Sequence, residues 1–296
     1  MTYQSVSHHP PVAAFHCESD LWKCWFDFSI TSKFRGKYLQ VIPLGLCHLY
    51  IRSTGQHYTW NKVTLTVQNI IVGKLWIDNS GDIDMVNHNT NEKCKLNFHP
   101  YSYFSYDTPK KVTGAVTNAD GEAEYILNGT WDSMLDCSKV ISSSHKKTDK
   151  TVVKTGHTER LWEVTPSPED SDKMYNFTEF SMTLNDQNES DVAPTDSRLR
   201  PDQQLMEIGN WDEANVVKVK LEDLQRKRRA ERKLDGRSAA GPDELPRDSE
   251  DVGHKMSWFR IVHDADSKTD YCKFTDEYWD CKERKDWSKC LSIYDI

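Results

Sequence analysis

From about residue 37 to residue 131 the chain alternates apolar and polar side chains, as where Val63, Leu65 and Val67 interleave with Lys62, Thr64 and Thr66. Period two places one set of residues on one face of a strand, so this is the signature of half-buried strands rather than helix. Turn-forming residues recur at Asn79-Ser80-Gly81, at Asn87 to Asn91 and at Asn118-Ala119-Asp120-Gly121. Turns at that spacing leave room only for short connections, and the pattern predicts an antiparallel meander. A meander with one apolar face must cover it, against a second sheet or by curling into a barrel.

Further strands are expected at Leu161-Trp162-Glu163-Val164 and at Phe177 to Leu184. The polar, basic stretch 142–157 reads as a loop, and 185–202 as irregular. At Asn210 a helix begins, with Glu213 three residues on as the partner of a capping box. It is expected to run to about Lys233, with Ala214, Val217, Leu221 and Leu224 on one stripe, an amphipathic C-terminal helix. Residues 234–257, rich in Gly, Pro and acids, read as a disordered connector. From Trp258 aromatic spacing resumes, and this tail is expected to pack back on a single domain spanning 1–296. The fold class is therefore β-rich (α+β).

Composition removes several function classes. The chain has 296 residues, 38 Lys and Arg against 46 Asp and Glu, and a formal net charge of −8. Such a balance makes a poor nucleic-acid binder, because phosphate neutralisation needs a basic face. The longest apolar candidate, Val41 to Ile51, is broken by Pro43, Gly45 and His48, well short of the roughly 18 residues that a membrane-spanning helix needs. No secretory signal pattern opens the sequence, and a cytosolic address is expected, in which the sequons at Asn128, Asn176 and Asn188 carry no sugar. The 8 Cys show no Cys-x-x-Cys pair and no Cys/His spacing of a structural zinc site, so neither metal nor cofactor is expected. No nucleophile motif or Gly-rich phosphate loop favours a hydrolase.

Two constellations carry chemistry. At Ser7-His8-His9-Pro10-Pro11 two imidazoles stand side by side, held by prolines that force extended backbone and have no N–H for a neighbouring strand. The segment reads as a sheet rim. Protonated imidazole donates from both nitrogens, so the pair is suited to gripping a phosphate monoester. On the predicted helix Lys218, Glu222 and Arg226 fall at i, i+4 and i+8 in one column. By spacing alone this column is an ion-pair ladder on a solvated face. Between Lys218 and Lys233 eight Lys and Arg outnumber three acids, and Lys227, Arg228, Arg229, Arg232 and Lys233 form a basic stretch able to meet an anionic membrane.

Ser5-Val6-Ser7-His8-His9-Pro10-Pro11 resembles the fingerprint of the oxysterol-binding protein family, Glu-Gln-Val-Ser-His-His-Pro-Pro, with Gln4 and Ser5 where the family has Glu and Gln. Trp60-Asn61-Lys62-Val63-Thr64, residues 69–78, 100–105 and 129–132, residues 193–202, Trp211-Asp212-Glu213-Ala214-Asn215 and Tyr278-Trp279-Asp280-Cys281-Lys282-Glu283 also look like family blocks. The resemblance implies that the meander forms part of a large, incomplete β-barrel. It implies that His8, His9, Lys218, Glu222 and Arg226 build one phosphoinositide headgroup pocket. The cargoes implied are a sterol or oxysterol and phosphatidylinositol 4-phosphate, exchanged between cytosolic membrane faces of the endoplasmic reticulum and Golgi. Family domains place a lid and the first strands ahead of the fingerprint, so an N-terminally truncated domain is expected. The alternative is a truncated β-rich interaction or regulatory domain that carries no lipid. Residues lining a sterol pocket cannot be picked out from the pattern.

Overall fold

The computed structural model describes residues 2–7, 12–102, 108–145, 151–183, 192–239 and 258–296. His8 and His9 lie outside the described residues. The chain divides into two compact units. The first comprises mainly Pro11–Thr165 with Ile261–Cys272, and the second mainly Pro166–Arg260 with Lys273–Ile296.

The first unit is an antiparallel sheet of 13 strands. It begins with β1 (Thr2–Ser7), β2 (Val12–Glu18), β3 (Trp22–Phe34), β4 (Tyr38–Leu44) and β5 (Leu46–Ile51). There follow β6 (Gln56–Asn61), β7 (Thr64–Gln68), β8 (Trp76–Asn87) and β9 (Lys93–Phe98). The series ends with β10 (Lys111–Thr117), β11 (Ala123–Thr130), β12 (Met134–His145) and β13 (Thr151–Glu163). β1 stands at one edge, as the proline-bounded fingerprint requires, and β13 at the other. The sheet is open, with no pairing among the described residues that joins these edges.

Strands β4 and β5 behave as one bent strand, since both pair with β3, and β6 and β7 as another. Read that way every strand pairs with its neighbour in the chain, which is the meander that the turn spacing predicts. A crease crosses these long strands. Gly45 breaks β4 from β5 at φ 98°, and a Cβ there would stand 2.3 Å from the Asp27 carbonyl oxygen, so no other residue fits. On the next strand the ladder is interrupted at Lys62 and Val63, and the side chain of Asn61 fills the gap, donating to Asp82 O and accepting from Asp84 N, each at 2.8 Å. On β8 the crease passes Gly81, at φ 123°. Asn79-Ser80-Gly81 is therefore not a turn but the bend inside one strand, which pairs with β7 before it and with β6 and β9 after it. The other two turn expectations are met: Asn91 N–H donates to Asn87 O at 2.8 Å and Gly121 N–H to Asn118 O at 3.0 Å.

The loop expected over 142–157 is mostly strand. Ser142 pairs with Lys154 and Ser143 with Val153, so the hairpin arms reach His145 and Thr151. Ser142 and Ser143 are exposed, which explains polarity without disorder: a strand with neither face covered has no apolar period to read.

In the second unit Phe177 to Leu184 contains not a strand but the short helix α1 (Glu179–Thr183). Thr178 Oγ1 accepts from Ser181 N at 3.1 Å, a side-chain cap that starts the turn. α2 (Pro201–Glu207) begins on a proline inside the stretch read as irregular and packs on α3 (Trp211–Ala239). α3 runs six residues into the expected connector, whose remainder, 240–257, lies outside the described residues. Ala214 and Leu221 are buried and Val217 and Leu224 half-buried, the predicted stripe. At its start Asn210 Nδ2 donates to Glu213 Oε2 at 2.6 Å, so the two side chains bind each other. The tail folds back within this unit: Tyr294 Oη donates to Thr195 O at 3.0 Å and Cys290 is buried. The ribbon β14 (Phe259–His263) and β15 (Asp270–Phe274) and helix α4 (Glu277–Arg284) complete the chain.

Candidate functional site

Register assigns each side chain of the first unit to a face, because directly paired residues share one. One face carries Phe26 beside Cys47 and Trp60, Ile30 beside Pro43, Leu39 and Val41 beside Val67 and Leu65, and Ile77 beside Val67. It continues through Met85, Cys94, Val116 and Tyr125, each the partner of the next. The result is a nearly continuous apolar surface across the sheet. Part of it forms a cavity of about 440 Å³ whose walls include Tyr58, Met85, Val116, Tyr125 and Leu127. Elsewhere the surface is open: Phe34 is 62% exposed and Ile77 45%.

Thiols are spread over this unit. Burial pushes Cys24 up to about 11, with Cys47 and Cys17 adding to the rise, and burial together with Asp27 pushes Cys272 up to about 12. Protonated at neutral pH, they are packing groups rather than nucleophiles.

On α3 the predicted column is present. Lys218 Nζ stands 3.9 Å from Glu222 Oε1 and Arg226 Nη1 3.8 Å from Glu222 Oε2, while Arg226 Nη2 also binds Asp223 at 2.7 Å. Lys218 and Arg226 are exposed. Of the basic stretch, Lys227 is exposed, whereas Arg228 and Arg229 are half-buried and Arg228 Nη1 donates to Ile293 O at 3.2 Å. The helix face turned toward the tail therefore occupies part of the charge assigned to membranes. The side chains of Arg232 and Lys233 lie outside those described.

The block at 193–202 has an internal explanation. Arg198 grips Asp196 through two bonds of 2.9 Å, and Arg200 grips Asp202 at 2.7 and 2.9 Å. Asp202 is only 3% exposed, and a buried carboxylate persists where a guanidinium fork satisfies both oxygens. Asp202 is the first-turn acid of α2, so the pairs fix where α2 and then α3 begin.

The family model described as oxysterol-binding protein matches residues 1–283. The chain belongs to the oxysterol-binding protein family. It is 48% identical over 294 residues to oxysterol-binding protein 2 of Mus musculus, a match covering 98% of this chain and 32% of that protein. Oxysterol-binding protein-related protein 2B of Arabidopsis thaliana is 33% identical over 98% of this chain and 37% of its own length. The chain thus spans about a third of these curated relatives. Among solved structures, the Osh1 ORD domain in complex with cholesterol superposes with a TM-score of 0.76 at 32% identity, covering 96% of this chain and 65% of that one. The Osh3 ORD in complex with PI(4)P from Saccharomyces cerevisiae gives 0.72 at 25% identity, over 99% of this chain and 73% of the other.

No described helix is long and apolar enough to cross a membrane. Absent from the sequence reading is a group on the opposite face of the sheet, where His48 and His57 are buried. Neither residue stands in a motif, and only the pairing of β5 with β6 unites them.

Proposed function

We propose that this chain binds lipid, one molecule at a time, and exchanges a sterol for phosphatidylinositol 4-phosphate between cytosolic membrane faces. The observation that carries this reading is the apolar face of the sheet, left partly open in a chain of a family whose solved members include a cholesterol complex and a PI(4)P complex. An apolar surface that the fold itself does not fill gains free energy from apolar cargo, at about 25 cal/mol per Å² removed from water.

The headgroup reading assigns His8, His9, Lys218 and Arg226 to the phosphate and Glu222 to orienting the bases or accepting from an inositol hydroxyl. Charge-assisted hydrogen bonds contribute about 1.5–3 kcal/mol each where water is excluded, so four donors suffice for micromolar binding. Glu222 already stands between Lys218 and Arg226, which supports a preformed spacing of the two cations. Peripheral contact with anionic membranes, at the endoplasmic reticulum and Golgi, falls to Lys227 with Arg232 and Lys233. A carrier is favoured over a hydrolase because burial holds the Cys24 and Cys272 thiols protonated, which makes them poor nucleophiles.

The test is transfer of a fluorescent sterol and of phosphatidylinositol 4-phosphate between liposomes. Wild-type protein is expected to move both. The His8→Ala/His9→Ala and Lys218→Ala variants are expected to lose phosphatidylinositol 4-phosphate extraction with unchanged circular dichroism, while sterol binding persists. Lipid extraction of neither cargo by folded wild-type protein would overturn the carrier in favour of an interaction domain.

A further inference from the structure

On the face of the sheet opposite the apolar one, β5 and β6 present His48 and His57, 1% and 5% exposed. His48 pairs with Thr59 and His57 with Tyr50, so the two imidazoles are diagonal neighbours on one face. Trp25 stacks on both rings, with centroids 4.9 and 5.5 Å away. Over them comes the tip of the β14–β15 ribbon, which belongs to the same compact unit. There Asp264 receives Ser267 N–H at 2.8 Å on Oδ2, and Asp266 Oδ2 binds His57 Nδ1 at 2.7 Å. Ligand atoms of His48, His57 and Asp264 all lie within 4.8 Å of one another. Among the described residues this is the one group of three such side chains close enough to share an ion.

We propose that His48, His57 and Asp264 form a binding site for a divalent transition-metal ion of the zinc class, with Asp266 positioning His57 and the fourth ligand position left open. Three features point that way. His57 Nδ1 donates to the Asp266 carboxylate, which fixes the tautomer and turns the Nε2 lone pair toward His48 Nδ1, 3.1 Å away. A carboxylate behind a ligating histidine is the usual outer-shell arrangement. Two nitrogens bound at about 2.0–2.1 Å to a tetrahedral zinc stand about 3.3 Å apart, so the spacing of the pair fits, and an ion would replace the hydrogen bond between the rings once His48 carries its proton on Nε2. Two imidazoles and a carboxylate suit zinc better than calcium or magnesium, which take all-oxygen cages. Bound metal would tie the ribbon tip to the sheet, a role separate from lipid carriage and independent of it.

The test uses the full chain, stripped with a chelator and kept under a phosphine reductant, titrated with zinc chloride against a chromogenic competitor. One equivalent is expected to bind and to raise the melting temperature. Asp264→Asn is expected to abolish that rise while circular dichroism stays native, which keeps the test valid if changes at the deeply buried His48 prevent folding. Asp266→Asn should weaken affinity about 10- to 100-fold, as loss of an outer-shell partner does. His88→Ala should leave affinity unchanged, since His88 Nε2 is engaged by Thr59 Oγ1 at 2.8 Å. Cobalt(II) in place of zinc should show visible bands of a tetrahedral site without an ultraviolet thiolate band. Failure of the native chain to bind one equivalent would overturn the site, leaving a plain hydrogen-bonded histidine pair. So would a thiolate band, which would move the metal to the cysteines, or equal zinc affinity in Asp264→Asn.

Discussion

The two faces of the one sheet reverse the usual assignment of burial. The face built from Leu39, Val41, Leu65, Val67 and Ile77 is apolar and half-open, whereas the opposite face buries His48, His57, Thr59, Thr66 and Asp78. A sheet ordinarily hides its apolar face in the core and offers the polar one to water. Here the polar side buries His48 and His57 under hydrogen bonds and aromatic stacking, and the apolar side leaves Phe34 and Ile77 open. Under the proposed function, cargo binding belongs to the apolar side, and substitutions should separate it from stability at open positions such as Ile77 but not where an apolar side chain is itself buried, as at Leu127.

The largest effect is expected at the crease that both faces share. Gly45→Val combines a left-handed backbone position with a Cβ at 2.3 Å from a carbonyl oxygen, each worth about 1–3 kcal/mol, and should lower the urea midpoint more than any other change considered. Survival of wild-type stability would mean that the crease is not fixed by glycine. Next, Leu127→Ala on the apolar side, where Leu127 is 4% exposed beside the cavity, should cost about 2–4 kcal/mol and weaken sterol transfer in the same variant. A variant that loses stability alone would detach the cavity from the cargo.

A smaller change of opposite sign is expected on the polar face. Burial raises the Asp27 carboxyl above its ordinary value, partly offset by the Cys272 N–H that it accepts at 2.5 Å, and its other oxygen is buried without a partner among the described residues. A raised folded value means that the folded state holds the proton longer, so Asp27 lowers stability as pH rises through that value. Asp27→Asn keeps the accepted bond and removes the buried charge. It should melt higher than wild type at pH 7, with the gap shrinking as pH falls and gone below the unfolded value of 3.8. A gap that does not change with pH would place its origin elsewhere. Smallest in stability is Ile77→Ser at a position 45% exposed, within about 0.5 kcal/mol of wild type, yet it should slow sterol transfer. Transfer at the wild-type rate would break the division between the faces.

How far these faces could be read from the sequence follows from distance along the chain. Alternation at Leu65 and Val67 gave the apolar face, and the stripe Ala214, Val217, Leu221 and Leu224 gave α3, because each pattern is local. Ser142 and Ser143 misled because a strand exposed on both sides carries no period. Gly81 read as a turn because a bend within a strand and a turn between strands use the same residue. The column Lys218, Glu222 and Arg226 on α3 was visible as an ion-pair ladder through its i, i+4 spacing, and its assignment to a headgroup came from the family resemblance alone. His48, His57 and Asp264 were not, since the ribbon contact to His57 spans 209 residues of chain, and no spacing rule reaches that far.

The strict succession of strands in the sheet also sets an order in time. Each strand pairs with one already made, so the sheet can zip as the chain leaves the ribosome, without waiting for distant segments. The ribbon tip is the exception. His48 and His57 emerge early and must wait, uncovered, until residues 261–272 are synthesised. Closure of the polar face is thus the last step in assembling the first unit, and a chain stopped before Ile261 would complete its apolar surface while leaving both imidazoles in water.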